Sequence, residues 1–424
     1  MNQVILSTEI TTTYEALLVL AFVLFFGIYA GRFFEKFKLP HITGYIVSGL
    51  IIGGVLSLFG LSELVGHLEV ISSVALGFIA FGIGTELEFG KLKKSGKEVV
   101  VITVIQAVAA AVFVIGGLLI FRVSLPIALV LGAIATATAP APIMLLTRKY
   151  QTQGALTDTL LPLVGMDDAV GIILFGVLLS VGKALNTGTH LSFINLVEGP
   201  LVELIGSAIV GIVVGLLASL IIKKITSRDR QKEELFLAIS IVSVFITVSL
   251  AKIGLHIGDF QIHLSPILTP MTLGVVFANS LTRVRSHDVN LTVEKFTAPI
   301  LIAFFTLAGA ELVVAFVHNT DAHYGSLIGI TVVYILFRAA GKMIGSHFGA
   351  KIMKSHRNVR KYLGFCLLPQ AGVALGMAYQ AKSDFGEPGM QILIVVLIAT
   401  LVYELIGPIG VKISLDKSGE IRDY

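Results

Sequence analysis

The chain has 424 residues, of which 55% are hydrophobic and only 14% charged, and its mean hydropathy is +0.92. A soluble chain of this length needs charged surface throughout, so this composition excludes an ordinary soluble fold and points to lipid as the solvent. Cys366 is the single cysteine, which excludes an intrachain disulfide and a thiolate metal cluster.

Apolar runs of roughly 18 or more residues, each able to cross the ~30 Å hydrocarbon core as a helix, recur along the whole length. Thirteen spans are expected, at 14–34, 39–59, 68–86, 97–121, 124–147, 155–184, 199–224, 235–255, 261–282, 295–318, 325–350, 361–380 and 391–413. Nothing of any size is left for a soluble domain. The opening segment MNQVILSTEITTTYEALL lacks a basic n-region and a small-residue cleavage site, so it is expected to stay in the mature protein. The chain has no tryptophan, which leaves the interfacial belts to tyrosine and basic residues.

An odd number of crossings puts the termini on opposite sides, and the basic residues decide which is which. One set of connections, taken with the C-terminus, carries 25 Lys and Arg: Arg32, Lys36, Lys38, Lys91, Lys93, Lys94, Lys97, Arg148, Lys149, Lys223, Lys224, Arg228, Arg230, Lys232, Arg283, Arg285, Lys295, Lys351, Lys354, Arg357, Arg360, Lys361, Lys412, Lys417 and Arg422. The alternate set carries four: Arg122, Lys183, Lys252 and Lys382. This imbalance predicts an N-terminus outside and a C-terminus in the cytoplasm. It also accounts for the pI near 9.0 without nucleic acid as a partner.

The second and third spans have echoes later in the chain. LGFIAFGIGTELEF resembles LIAFFTLAGAELVV, with Gly84, Glu86 and Leu87 matching Gly309, Glu311 and Leu312, and Gly49 of YIVSGLIIG matches Gly274 of TPMTLGVVFA; both pairs share an offset of 225. Two six-helix units separated by one spacer place equivalent helices seven crossings apart. Seven is odd, so the repeats are inverted in the membrane, the plan of secondary transporters whose interrupted helices meet near the midplane. Chance similarity between apolar, Gly-rich segments is the alternative.

In the fifth span, IALVLGAIATATAPAPIMLL, Pro140 and Pro142 predict a helix break near residues 136–142. Freed carbonyls there, with the hydroxyls of Thr136 and Thr138, are hard oxygen donors suited to an alkali cation. Non-helical backbone at membrane depth is tolerated only where protein or a watery cavity surrounds it. A plain proline kink with threonines bonded to their own helix is the other reading.

The sixth span places Asp167 and Asp168 side by side in GMDDAVGIILF. A carboxylate at that depth costs about 2.5–3.5 kcal/mol on insertion scales, so function is the default explanation. Adjacent helical positions differ by about 100°, which lets one acid face a cavity while the other meets a protein partner. Two neighbouring acids in a partly desolvated site suit a group that takes up and releases protons.

Lys342 in RAAGKMIGSHFGAKI of the eleventh span is the candidate partner of one aspartate, with Arg338 one turn earlier and His347 one turn later; snorkelling to an interface is open to each of them. The twelfth span, LGFCLLPQAGVALGMA, carries Pro369, Gln370 and Gly372 where the repeat requires the second break. Two broken helices crossing at the midplane bring half-helix ends of both signs together, which calls for compensating charge. Other acids within spans are Glu15, Glu86, Asp158, Glu203, Glu311 and Glu404, most of them near span ends. Glu404, in the span equivalent to that of the aspartates, is the secondary ion-site candidate. The histidines show no metal-ligand clustering, so no structural metal is expected.

Six segments carry a resemblance that covers nearly the whole chain: LPHITGYIVSGLIIG at 39–53, GFIAFGIGTELEFGKLKKSGK at 77–97, ATATAPAP at 135–142, GMDDAVGIILF at 165–175, GKMIGSHFGA at 341–350 and LPQAGVALGMA at 368–378. Together they resemble the sodium/hydrogen exchanger superfamily in its bacterial cation:proton antiporter-2 branch. The resemblance implies an all-α polytopic fold of two inverted six-helix repeats with crossed broken helices, and a homodimer. It implies scaffold or dimerisation helices at 14–86 and 235–318, core translocation helices at 97–184 and 325–413, and a linker helix at 199–224. It makes Asp168 the alkali-cation ligand and proton carrier, and Asp167 the partner of Lys342. Members with two acids here tend to be electrogenic. The chain departs from some relatives in having no acid in the fifth-span break and Gln370, not a basic residue, in the twelfth-span break, and it lacks a nucleotide-binding domain after the last span.

The expected function is exchange of protons for a monovalent cation, Na⁺ or Li⁺ favoured, by alternating access in a bacterial inner membrane, with no enzyme activity and no cofactor. Competition of both ions for Asp168 is sufficient for obligatory exchange. A potassium/proton antiporter, or a non-exchanging channel or germination-type sensor on the same fold, is the alternative. An organic-anion or bile-acid symporter lacks support from an acidic pair without a basic anion pocket. An intramembrane aspartyl protease needs acids facing each other from different helices.

Overall fold

The computed structural model describes residues 2–36, 40–186, 193–225, 232–257, 260–262, 264–318 and 324–421. Lys38, Arg228, Arg230 and Arg422 of the charge count lie outside the described residues. Helices dominate, in the order α1 (Asn2–Lys36), α2 (His41–Leu58), α3 (Glu63–Gly66), α4 (Glu69–Glu86), α5 (Phe89–Ile120), α6 (Leu125–Ile134), α7 (Pro140–Lys149), α8 (Ala155–Asn186), α9 (Phe193–Lys224), α10 (Lys232–Ile253), α11 (Leu268–Ser280), α12 (Arg283–His318), α13 (Tyr324–Ile352), α14 (Arg357–Cys366), α15 (Gly372–Phe385) and α16 (Glu387–Lys417). Between α10 and α11 a three-residue antiparallel hairpin pairs β1 (Leu255–Ile257) with β2 (Phe260–Ile262), with His256 opposite Gln261. This hairpin is a small departure from the expected all-α chain.

Ten helices among the described residues are long and apolar enough to cross a membrane. The three remaining expected spans are carried by shorter helices: the fifth by α6 and α7, the ninth by α11, and the twelfth by α14 and α15. The ninth was expected from residue 261, yet α11 begins at Leu268, after the hairpin and Pro266; the Ser265 hydroxyl accepts the Leu268 N–H at 3.2 Å. Within α5 the chain turns at Gly96, whose φ of +79° suits a residue without a β-carbon, and the apolar stretch starts there.

The chain divides into two compact units. One comprises Met1–Ala75 and Glu294–Tyr324. Its core joins Ala16, Val19 and Val23 of α1 to Leu56 and to Ala303, Leu307 and Ala310 of α12. The other comprises Leu76–Val293 and Gly325–Tyr424, and its core gathers Val99, Ile102, Leu160, Leu163, Leu363, Val411 and their neighbours from α5, α8, α14 and α16. Inside this unit α8 packs on both α5 and α6, and α14 packs on α8 and α16.

The four glycines that mark the repeat explain why those positions hold glycine. Within the first unit, a β-carbon on Gly49 would run into the Thr306 carbonyl, and one on Gly309 would run into the Ile46 carbonyl. Within the second unit, a β-carbon on Gly274 would run into the Phe81 carbonyl, and one on Gly84 into the Met271 carbonyl. The offset of 225 carries Gly49 to Gly274 and Gly84 to Gly309. It therefore matches the glycines of the first backbone-to-backbone crossing to those of the second.

The chain end is tied to the helix that bears the aspartates. The buried Glu420 carboxylate accepts the Leu156 and Thr157 N–H groups at 2.7 and 2.8 Å and the Thr157 hydroxyl at 2.7 Å. These are orphan donors of the first turn of α8, where a negative charge also meets the positive end of the helix dipole.

Candidate ion-binding site

The break in the fifth span is narrower than the prolines suggested. Residues 135–139 are non-helical, and Pro140 opens α7 at its first position. Proline is favoured there because the first helical N–H has no intrahelical acceptor to lose. The second break covers residues 367–371, with Pro369 and Gln370 inside it and Gly372 opening α15. The two breaks are bonded to each other: Ala139 N–H donates to the Pro369 carbonyl at 2.9 Å, Thr138 Oγ1 to the Leu367 carbonyl at 3.3 Å, and Gln370 Nε2 to the Ile134 carbonyl at 3.1 Å. Gln370 Nε2 also reaches the Tyr334 hydroxyl at 2.9 Å.

Unwinding leaves carbonyls that helix geometry no longer satisfies, and two basic residues of α13 take them. Arg338 is wholly buried and does not snorkel. Its Nε donates to the Ala135 carbonyl at 3.0 Å, Nη2 to Ala137 at 2.7 Å and Nη1 to Leu368 at 2.8 Å, so one guanidinium fastens both breaks. The Tyr403 ring lies 4.3 Å from its Cζ. Lys342, one turn on, donates to the Thr136 carbonyl. Three of the carbonyls at the fifth-span break, those of Ala135, Thr136 and Ala137, are thus held by fixed cations. Arg338 supplies the positive charge that the twelfth-span break lacks by carrying Gln370.

The two aspartates differ in commitment. Asp167 is wholly buried, with Oδ2 2.8 Å from Lys342 Nζ, itself wholly buried, and Oδ1 accepting from Gln106 Nε2. Gln106 of α5 is in turn held by the Thr103 carbonyl at 3.0 Å. Asp168 is 3% exposed, and its Oδ1 has no hydrogen-bond partner among the described residues; the backbone of Thr138 is its hydrogen-bonding neighbour. Gly171, one turn beyond, lets α8 lie against the break, since a β-carbon there would come 2.7 Å from Thr136 Oγ1. Asp167, Asp168, Thr138, Thr136, Lys342, Pro369 and Gln370 are thereby gathered around the crossing. Pro142 lies two residues past the start of α7 and is buried.

Among the other span acids, Glu15, Glu86 and Asp158 are exposed. Glu203 is partly buried and accepts from Ser180 at 3.3 Å. Glu404 on α16 is wholly buried with neither carboxyl oxygen hydrogen-bonded, and no ion pair or hydrogen bond among the described residues joins it to the aspartates. His347 is exposed and bonds the Arg360 carbonyl at 2.9 Å. Nothing in the sequence marks Gln106, Tyr334 or Tyr403 as site residues. Their signal is a polar atom on an otherwise apolar helix, which is far weaker than a charge.

The transmembrane model of the sodium/hydrogen exchanger family matches residues 20–417. The chain belongs to the sodium/hydrogen exchanger family. A curated relative, the Na(+)/H(+) antiporter 1 of Methanocaldococcus jannaschii, is 28% identical over 209 residues, covering 49% of this chain and 47% of that protein. The chain therefore matches about half the length of that relative. The solved structure of the sodium proton antiporter MjNhaP1 from the same organism at pH 8 shares the fold, with a TM-score of 0.71 at 19% identity over 97% of this chain and 98% of that one. An electron-microscopy structure of MjNhaP1 gives a TM-score of 0.68 at 18% identity, covering 96% and 97%.

Proposed function

We propose that this protein exchanges protons for a monovalent cation at Asp168, by alternating access. The observation that carries the reading is the asymmetry of the pair: Asp167 is satisfied by Lys342 and Gln106, while Asp168 Oδ1, equally deep, has no partner. A buried carboxylate without a fixed countercharge is stable only when a proton or a bound cation neutralises it. The two ions therefore exclude each other from one site, and neither is carried across without exchange for the other. Thr138 complements Asp168 as a hard oxygen donor. With Ala135, Thr136 and Ala137 carbonyls already held, the remaining shell is small, which favours Na⁺ and Li⁺ over K⁺.

We further infer a place in the cation:proton antiporter-2 branch and electrogenic exchange, both supported by the acidic pair; electrogenic exchange needs a second proton per cycle beyond the one on Asp168, and the Asp167–Lys342 pair beside it is where that proton would be carried. The surplus of basic residues in one set of connections supports an inner-membrane protein with its N-terminus outside and C-terminus in the cytoplasm. Helices 97–184 and 325–413 form the moving core, 14–86 and 235–318 the scaffold of a homodimer, and 199–224 the link between them. The test is cation-driven proton movement in proteoliposomes of wild type and Asp168→Asn. The substitution should abolish exchange while leaving the protein folded. Wild-type exchange in the variant refutes Asp168 as the carrier, and equal or better activity with K⁺ refutes the selectivity.

A further inference from the structure

Where the end of α13 meets the start of α14, a cavity of about 570 Å³ is lined by Met343, His347, Arg357, Arg360, Lys361, Gly364 and Phe365. Arg357, Arg360 and Lys361 stand at i, i+3 and i+4 on α14, which puts all three on one face. No acid lines the cavity, and none of the three is in an ion pair among the described residues. His347 faces them from α13. Its Nδ1 donates to the Arg360 carbonyl at 2.9 Å, because a carbonyl can only accept, and so Nε2 is the ring nitrogen left over.

The pocket is built as well as charged. A β-carbon on Gly364 would come 2.5 Å from Met343 Cα and 2.6 Å from Ser346 Oγ, so α14 lies directly on α13 and fixes the floor. The positive end of α14 opens on the same side, its first turn capped by His356 Nδ1 accepting from Asn358 N–H at 3.3 Å. Two guanidiniums suit bidentate hydrogen bonds to a phosphate group, and the lysine adds a point charge. The apolar surroundings select among phosphates. Met343 and Phe365 line it, and Phe365 with Ile344, Phe348 and Ile352 of the same end of α13 is exposed, as a surface against acyl chains must be.

We propose that this pocket binds the phosphate group of an anionic membrane phospholipid. Basic pockets between transmembrane helices take such headgroups because charge and acyl-chain contact act together. α13 carries Arg338 and Lys342 and α14 runs directly into the second break, so an occupant braces the framework of the ion site without touching it. The proposal rests only on the membrane location, and its readout does not depend on cation exchange.

The test is thermal unfolding of delipidated full-length protein in detergent with phosphatidylglycerol, with phosphatidylcholine of the same acyl chains, or with inorganic phosphate. Three proteins are compared: wild type, Arg357→Gln/Arg360→Gln/Lys361→Gln, and a control, Lys412→Gln/Lys417→Gln, which removes basic residues elsewhere. Phosphatidylglycerol should raise the midpoint of wild type and control by about 3–5 °C beyond phosphatidylcholine, and should lose that advantage in the triple variant. The single variants Arg357→Gln and Lys361→Gln should each lose part of it, which keeps the test decisive if the triple variant does not fold. An equal gain from inorganic phosphate overturns the lipid source in favour of a free phosphate. An equal gain from phosphatidylglycerol in all the proteins, or none in wild type, overturns the site.

Discussion

Lys342 Nζ lies 2.8 Å from Asp167 Oδ2 with both side chains wholly buried, so each charge depends on the other for compensation. Removing one partner of such a pair costs about 3–5 kcal/mol, because the remaining ion stays desolvated and unpaired. Lys342→Met should therefore lower the thermal midpoint substantially, and the double variant Asp167→Asn/Lys342→Met should regain most of it. The double-mutant cycle in detergent measures this directly. A single variant as stable as wild type would show that the pair does not hold α8 to α13.

Arg338 should not be replaceable even by another cation. Its three hydrogen bonds go to backbone carbonyls of both breaks, and a lysine at the same place presents a compact ammonium that cannot reach all three in the guanidinium geometry. Arg338→Lys should still cost about 2–3 kcal/mol and slow exchange, since the charge survives but the clamp does not. Thermal unfolding together with proteoliposome transport separates the two effects, and wild-type values for both would rule out the clamp.

The cap at the other end of α8 makes a milder prediction. Glu420→Gln keeps the size of the side chain but removes the charge that faces the helix N-terminus, and should cost about 1–2 kcal/mol. Truncation after Lys417 should cost at least as much. Midpoints unchanged by either alteration would mean that the chain end does not support the aspartate helix.

Much of this architecture is legible in the sequence because each visible feature carries its own cost. Apolar runs mark the spans, Asp167 and Asp168 are too expensive in lipid to be incidental, and Pro140 and Pro369 announce the breaks. Lys342 was identifiable for the same reason. What the sequence leaves hidden is pairing. Gln106 lies 61 residues from Asp167 in an alanine-rich stretch, and nothing local marks it as that acid's second partner. In sequence Arg338 is as free to reach an interface as to stay buried, because only the folded chain brings the Ala135, Ala137 and Leu368 carbonyls around it. The same tertiary fact commits the Ala135, Thr136 and Ala137 carbonyls of the fifth span to side chains. The start of α7 at Pro140 was a matter of proline's tolerance in a first turn, which a rule about broken helices passes over.

Competition between Na⁺ and H⁺ for Asp168 is tested most directly by the apparent Na⁺ affinity of proteoliposomes measured from alkaline to mildly acidic pH. On the acid side the affinity should weaken by about tenfold per pH unit, as one proton displaces one cation from a single carboxylate. An affinity independent of pH, or the same pH dependence in Asp168→Asn, would contradict a shared site at Asp168.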